Sequence, residues 1–275
     1  MASGAVMSSM RSYSTGTGPS RLCQWMQNIS PCPKELAWCH TTDAYAFRGM
    51  VECGQFVPQP CDRFGGTRTY FFYGRPAYRL NEAALQSMGT TARAPVVIIA
   101  SSEILSASHR MFPFDTGAFL DRRYCDWFHR CMELCDFELT SLVDAHRRYI
   151  ASFFGTNRNY LALKPTVPPL AYAGAFEVEA MVALLQDPAI VRADDRKLAF
   201  ELQVQAPIPL RAPWVRALIL PKLRPIPSYL ASFLNGPGQG IEVRWFDVDP
   251  YKQAKDYVTV LEALAKEMQT KWRLL

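Results

Sequence analysis

The sequence lacks several features that would assign a protein to a common class. No apolar run approaches the roughly 18 residues that cross a bilayer, and the N-terminus has no charged-then-apolar pattern of a secretory signal. Gly-x-Ser-x-Gly, His-Glu-x-x-His and Gly-x-x-x-x-Gly-Lys are also missing. These absences argue against serine hydrolases of the nucleophile-elbow type, zinc peptidases and P-loop nucleotidases. We therefore expect a soluble, cytoplasmic protein without a membrane partner.

The cysteines also lack the spacing of a metal or redox motif. None of the 8 cysteines forms a Cys-x-x-Cys pair, and a chain of 275 residues that is 49% hydrophobic can build a core without disulfides. Cys125, His129, Cys131 and Cys135 cluster in sequence. On a predicted helix, however, the first two side chains point one way and the last two another. We expect reduced thiols and no metal site.

The residues that are present predict an α+β fold. Residues 1–20 are rich in small polar residues and predict a flexible segment, followed by a single domain over 21–275 with a helical elaboration around 80–195. Helices are predicted from about Tyr45 to a stop at Gly54, and over the following further ranges: 126–154, 175–186, and a terminal helix starting at 249–250. Strands are predicted over 69–73, 96–100, 197–205, 215–220 and 240–246.

One carboxylate stands out in this pattern. Glu201 lies inside the apolar run Leu198–Val204, where burying an unpaired charge costs several kcal/mol. It lies either on the outer face of a strand or at a reaction centre. Glu177 and Glu179 compete for a catalytic role, but they fall in a segment of helical period and lack a basic lead-in.

Three motifs in fixed order accompany this carboxylate. An early strand carries His40-Thr41-Thr42 and is followed by a helix and Gly54. An aromatic strand then ends in Phe71-Phe-Tyr-Gly-Arg-Pro76. Last, Glu201 follows a basic pair in Arg196-Lys-Leu-Ala-Phe-Glu-Leu-Gln-Val204, ahead of Pro207. This order resembles the ADP-ribosyltransferase superfamily and, within it, the DarT-type bacterial toxins that modify nucleic-acid bases. The resemblance covers residues 36–79 and 194–220, less than a third of the chain.

The resemblance implies a fold, a reaction and a set of site residues. The fold would be an ADP-ribosyltransferase-like split β-sheet core with helical insertions and a C-terminal helix, and the substrate would be nicotinamide adenine dinucleotide (NAD). Glu201 would stabilise the cation that forms at the ribose when nicotinamide leaves, and Arg75 would pair with the pyrophosphate or the target. The cofactor-binding residues would be His40, Thr41 and Thr42, with Tyr70 or Tyr73 stacking on the nicotinamide.

The implied biology is that of a toxin or an anti-phage defence effector. The target would be a nucleic-acid base in RNA or single-stranded DNA, and an antitoxin or inhibitor protein would hold the enzyme in check. The net charge of +5 permits a polyanionic partner without requiring one. Two alternatives stay open: a non-catalytic module that binds a nucleotide or a protein, and an NAD glycohydrolase or RNA phosphotransferase-like enzyme on the same fold.

Overall fold

The computed structural model describes residues 18–77, 87–166, 174–187 and 198–275. Most of the predicted flexible segment, Arg79, and the basic lead-in Arg196-Lys197 lie outside the described residues. So does much of the predicted elaboration around 80–195. Within the described part, helices and strands alternate without βαβ regularity, as an α+β fold requires.

The strands belong to one large sheet and one small pair. Their bounds are β1 Trp38–Asp43, β2 Gln55–Phe56, β3 Gln59–Pro60, β4 Thr67–Tyr73, β5 Pro95–Ala100, β6 Ser108–Phe112, β7 Glu201–Val204, β8 Ile208–Pro209, β9 Val215–Pro221 and β10 Glu242–Phe246. The large sheet runs β10-β9-β5-β1-β4-β7-β6, with β3 also paired to β4, and β2 pairs with β8. Among the described strands of this sheet, only β10 and β9 pair in parallel.

The helices pack on both sides of this sheet. Their bounds are α1 Arg21–Met26, α2 Ala44–Cys53, α3 Thr116–Leu120, α4 Ala145–Phe153, α5 Asn157–Leu161, α6 Phe176–Gln186, α7 Ser228–Leu234 and α8 Val258–Lys271. Short 3₁₀ turns lie at Thr91–Arg93, Ser102–Ala107, Leu134–Asp136 and Ala254–Tyr257. In the described part of the chain, no helix combines the length and the apolar character needed to cross a membrane.

The sheet is weakly joined between β1 and β4. These strands pair at two positions only, Trp38 with Tyr73 and Cys39 with Phe72. By contrast, β1 pairs with β5 at six positions and β4 with β7 at four. Beyond Cys39 the two strands therefore separate, and the sheet divides into a β10-β9-β5-β1 half and a β4-β7-β6 half.

Strand alternation gives this region two chemically different faces, because residues opposite each other in an antiparallel ladder point to the same face. We call them the aromatic face and the Glu201 face. The aromatic face carries Trp38, His40, Thr42, Phe71, Tyr73, Leu202 and Val204. The Glu201 face carries Cys39, Thr41, Arg68, Tyr70, Phe72, Glu201 and Gln203.

Each face is covered by different elements. The aromatic face packs against buried residues of α1, α4 and α6 in the main core. On the other side, Leu261, Ala265 and Met268 of α8 cover Cys39 together with β5 and β9. This packing explains why α8 has one apolar stripe, as its sequence predicts.

Several predicted elements are confirmed. The helix after His40-Thr41-Thr42 ends at Gly54, which adopts the left-handed conformation (φ 68°) that favours glycine at this position. The predicted strands 69–73, 96–100 and 215–220 correspond to β4, β5 and β9. The strand that carries Glu201 is shorter than predicted, since β7 begins at Glu201 itself. The terminal helix also begins later than predicted, at Val258.

The long helix predicted over 126–154 is wrong. Only α4 is α-helical, with a separate 3₁₀ turn at Leu134–Asp136, and a left-handed Asp144 (φ 56°) precedes α4. Phe128 and Phe137 are buried, and they stack on each other across turns, with ring centroids 4.9 Å apart. Irregular backbone rather than a continuous helix therefore buries these rings.

This correction removes the helical argument against a metal site at Cys125, His129, Cys131 and Cys135. Among the described residues no group of three or more His, Cys, Asp or Glu side chains is arranged to hold a metal ion. All 8 cysteines are free thiols.

Candidate functional site

Glu201 is buried and held from two sides. The residue is only 1% exposed. Oε1 accepts hydrogen bonds from the Thr116 hydroxyl (2.7 Å) and from the Gln203 amide (2.8 Å), while Oε2 accepts from the Thr116 main-chain N–H (3.2 Å). Thr116 begins α3, and Gln203 lies two residues further along β7 on the same face. The strand and the helix start together form a rigid seat for this carboxyl group.

The environment of Glu201 favours its protonated form. Burial raises the pKa, the nearby Asp115 raises it further, and the hydrogen bonds from Gln203 and Thr116 oppose the shift. The net effect is a pKa of about 8, against 4.5 ordinarily. Asp115 is itself 7% exposed and caps α3 by accepting from the Ala118 N–H (2.7 Å). A carboxyl group poised near neutral pH is a common feature of reaction centres and is also found in structural networks.

Arg68 extends the network along β4. Its Nε donates to the Gln203 side-chain oxygen (3.0 Å), and Gln203 in turn donates to Glu201. The Arg68 guanidinium also lies over the Phe64 ring, 4.9 Å from its centroid. This places a buried cation one hydrogen-bonded residue away from Glu201.

Sequence reasoning missed Arg68, Gln203, Thr116 and Asp115. Gln203 could have been found, because residues two apart on a strand share a face. Nothing local to the sequence links Thr116 or Asp115 to Glu201, since 85 residues separate Thr116 from it.

Two predicted cofactor residues share the Glu201 face. Tyr70 is half-buried, its hydroxyl lies 3.0 Å from the Cys61 sulfur, and its pKa is raised by burial, by the Cys61 hydrogen bond and by the charge of Glu201. Thr41 also points to this side, and its buried hydroxyl has no hydrogen-bond partner among the described residues. Thr41, Tyr70 and Glu201 are therefore the predicted residues that the sheet brings to one face.

His40 and Thr42 point to the opposite, aromatic face. The His40 Nδ1 lies 2.9 Å from the Tyr70 carbonyl oxygen, and its ring contacts Phe56 and Phe71, each with centroids 5.6 Å away. Burial lowers the His40 pKa, and the hydrogen bond to Tyr70 partly offsets this. A neutral ring that donates to the carbonyl fits this geometry, so His40 ties β1 to β4 where the two strands separate. Because they point to opposite faces, His40 and Thr42 do not lie with Glu201 around one ribose, as the resemblance implied.

Tyr73 is a core residue, which corrects its assignment to the cofactor. It is 0% exposed, and its ring contacts Trp38 and His146 at centroid distances of 4.9 and 4.7 Å. Its hydroxyl accepts from the Leu36 N–H (2.7 Å). Because Tyr73 is buried among aromatic side chains, neither face of its ring is open to a nicotinamide. Side chains alternate between the two faces of β4, so Tyr73 lies on the aromatic face and Tyr70 on the Glu201 face.

Arg75 is committed to an ion pair. Its side chain is 6% exposed, and Nη2 lies 2.7 Å from Oε1 of Glu262 on α8. It follows Gly74, whose left-handed backbone (φ 72°) turns the chain out of β4. Arg75 therefore joins the sheet to α8, and a pyrophosphate would have to compete with Glu262 for it.

Searches against family models, curated proteins and solved structures found no match to this chain. The chemistry of the site is what bears on function.

Proposed function

We propose that this protein is an NAD-dependent ADP-ribosyltransferase that modifies a base of RNA or single-stranded DNA, with its reaction centre on the Glu201 face. The observation that carries the proposal is the seating of Glu201 by Thr116 and Gln203 on a strand adjacent to Tyr70. The end of the β1–β4 pairing beside this cluster supports it, because an extended dinucleotide would have to enter where the two halves of the sheet part.

The proposed reaction assigns a role to each group. Departure of nicotinamide leaves a cation-like ribose, which a carboxylate hydrogen-bonded to the ribose hydroxyls stabilises. Glu201 acts in this step in its ionised form. The raised pKa keeps most of the group protonated at neutral pH but makes the ionised fraction a stronger base, which accepts the proton that the attacking amine or hydroxyl of the target loses. Thr116 and Gln203 orient the carboxyl group, as groups around a general base must.

The residues around Glu201 also revise the cofactor contacts. Tyr70 is the stacking candidate that is only half-buried, so it replaces Tyr73 in the proposal. Arg68, connected to Glu201 through Gln203, replaces Arg75 as the cation of the reaction centre. Thr41 contributes a hydroxyl that has no hydrogen-bond partner among the described residues, which suits a ligand hydrogen bond.

The biological setting belongs to the same proposal. A toxin or anti-phage effector of this class would act in the cytoplasm and would be restrained by an antitoxin or inhibitor protein. The net charge of +5 supports a nucleic-acid target only weakly.

One observation favours a second candidate, a non-catalytic binding module. Both oxygens of Glu201 already have protein partners, and the residue is 1% exposed. In that case the network stabilises the sheet, and the pKa shift is only a consequence of burial.

A single experiment separates these functions. Purified protein is incubated with NAD labelled in its adenylate half and with separate pools of RNA, single-stranded DNA, duplex DNA and protein. Label in RNA or single-stranded DNA is expected. Free ADP-ribose with no labelled pool would instead indicate a glycohydrolase, and intact NAD would indicate the non-catalytic module.

The matched variants are Glu201→Gln and Glu177→Gln. Both remove one carboxylate from a buried residue (1% and 6% exposed), but Glu177 lies on α6, which packs on the aromatic face, and it is paired with Arg21. Glu201→Gln is expected to lower the transfer rate by about 10² to 10³, the usual effect of losing an electrostatic group. Glu177→Gln should retain activity, and thermal melts should show that both variants are folded.

A further inference from the structure

A cavity that shares no lining residue with the Glu201 network lies between α5, the end of α8 and the segment before β1. Its volume is about 490 Å³. The lining residues are Lys34, Arg158, Lys266, Thr270, Arg273 and Leu275. Four of these six side chains are cationic, and none is a carboxylate side chain.

The cationic side chains of this cavity are poorly neutralised. Within the described residues, Arg158, Lys266 and Arg273 have no carboxylate within 4.0 Å. Lys34 donates to the main-chain oxygen of Leu275 at 2.7 Å. The cavity therefore holds an excess of positive charge.

The acidic residues on α8 have other partners. Glu262 pairs with Arg75 at 2.7 Å, and Glu267 pairs with Arg244 at 3.4 Å. Neither lines the cavity. The carboxylates of α8 are therefore paired with cations outside the cavity, and they do not neutralise the cationic residues that line it.

The cavity walls are held in place by a buried side chain. Asn157 is 6% exposed, and its Nδ2 donates to the main-chain oxygens of Lys34 (3.1 Å) and Leu274 (2.9 Å). Arg273 adopts a left-handed backbone (φ 61°), at a helix end where glycine is usual. Asn157 therefore holds the segment of Lys34 and the chain near Leu274 together, and this fixes the backbone that carries the cationic residues.

A simpler explanation accounts for only part of this set. Cations near a helix C-terminus interact favourably with its dipole, which covers Arg273, two residues after the end of α8. It does not account for Lys34, which precedes β1, or for Arg158, which lies near the start of α5.

We propose that this cavity binds the phosphate groups of a nucleotide-sized ligand, either free or within a nucleic-acid strand. Lysine and arginine are the usual phosphate-binding side chains, and the volume lies in the range of about 300 to 1,000 Å³ typical of ligand sites. The proposal is independent of the activity proposed for Glu201, because neither the ligand nor its test requires catalysis.

The test uses two probes on purified full-length protein. Inorganic pyrophosphate is titrated by calorimetry, and a fluorescently labelled single-stranded DNA oligonucleotide by anisotropy at two salt concentrations. The cavity variant is Arg158→Glu with Lys266→Glu. The control is Lys252→Glu with Lys255→Glu, two exposed lysines outside the cavity. Each pair of substitutions lowers the net charge by four, from +5 to +1.

The cavity variant should weaken binding by at least about tenfold, with a smaller salt dependence for DNA, while the control stays within about twofold. Loss with both probes supports the shared phosphate chemistry, loss with DNA alone identifies a strand, and loss with pyrophosphate alone identifies a free phosphate compound. The proposal fails if wild type binds neither probe, or if both charge-reversal variants weaken equally. Glu201→Gln should retain binding, so failure of one proposal remains distinguishable from failure of the other.

Discussion

The two faces of β4 and β7 are buried to a similar depth but are stabilised in different ways. On the aromatic face, Phe71, Tyr73, Leu202 and Val204 are all 0% exposed and pack with other apolar groups. On the Glu201 face, Glu201 and Gln203 are 1% and 0% exposed, yet polar.

Burial alone therefore does not distinguish residues of the hydrophobic core from residues of the candidate site. The aromatic face gains stability from removing apolar area from water. The Glu201 face buries polar atoms, and Glu201 and Gln203 are satisfied through Thr116, Arg68 and each other, while the Thr41 hydroxyl has no partner among the described residues. Substitutions on the first face should change stability, while those on the second should change protonation and, under the proposed function, turnover.

The largest expected effect compares adjacent residues on opposite faces. Phe71→Ala should lower the free energy of unfolding by about 3–5 kcal/mol, because it leaves a cavity among packed rings. Tyr70→Ala should cost about 1–2 kcal/mol, because Tyr70 is only half-buried and loses partial packing against Phe72, Ala77 and Ala199 together with its contact with Cys61. Denaturant titration of both variants measures the difference, and equal losses would contradict the assignment of the faces.

The next prediction concerns how tightly β4 ends on the aromatic face. An added Cβ at Gly74 would lie 2.6 Å from Leu36 Cδ1 and 3.2 Å from the Tyr160 ring. Gly89 has a similar backbone (φ 67° against 72°) but nothing within 4 Å. Gly89→Ala should cost about 1 kcal/mol from backbone strain alone, and Gly74→Ala about 2–4 kcal/mol from strain plus overpacking. Similar melting temperatures for the two variants would show that Leu36 can move away.

The third prediction uses pH to probe Glu201. Between pH 4.5 and about 8 the folded protein retains a proton that the unfolded chain has released. The stabilising contribution of protonated Glu201 is therefore complete below pH 4.5, the pKa in the unfolded chain. It is lost as the pH rises through about 8, the pKa in the folded protein. The slope is at most about 1.4 kcal/mol per pH unit. Glu201→Gln should flatten this part of the stability profile measured by denaturant titration, and an unchanged slope would assign it to other groups.

The smallest expected effect tests whether a ligand reaches both faces. His40→Ala should lower stability by about 1 kcal/mol, through loss of its bond to the Tyr70 carbonyl. In the NAD-labelling assay it should lower transfer by less than about tenfold, because its ring lies opposite Glu201 and off the reacting bond. A loss as large as that of Glu201→Gln would mean that the dinucleotide passes between β1 and β4 and contacts both faces.

Local signals in the sequence predicted the elements that depend on neighbouring residues. The strand at His40, the helix after it and its stop at Gly54 are all present, since capping and glycine conformation act over a few residues. The helix predicted over 126–154 failed for the opposite reason. Its apolar residues pack against each other through turns, and only long-range contacts could decide that.

The sequence by itself determined the composition of this protein's core, most of its strands and the identity of its unusual carboxylate. Only the tertiary structure decided which side chains meet. A one-residue change of register reverses every side chain of a strand, so the pairing of β1, β4 and β7 separates His40 from Glu201 and turns Tyr73 into the core. The same pairing brings Glu201 to Gln203 and Arg68, and the placement of α3 adds Thr116, none of which the spacing of the motifs contains.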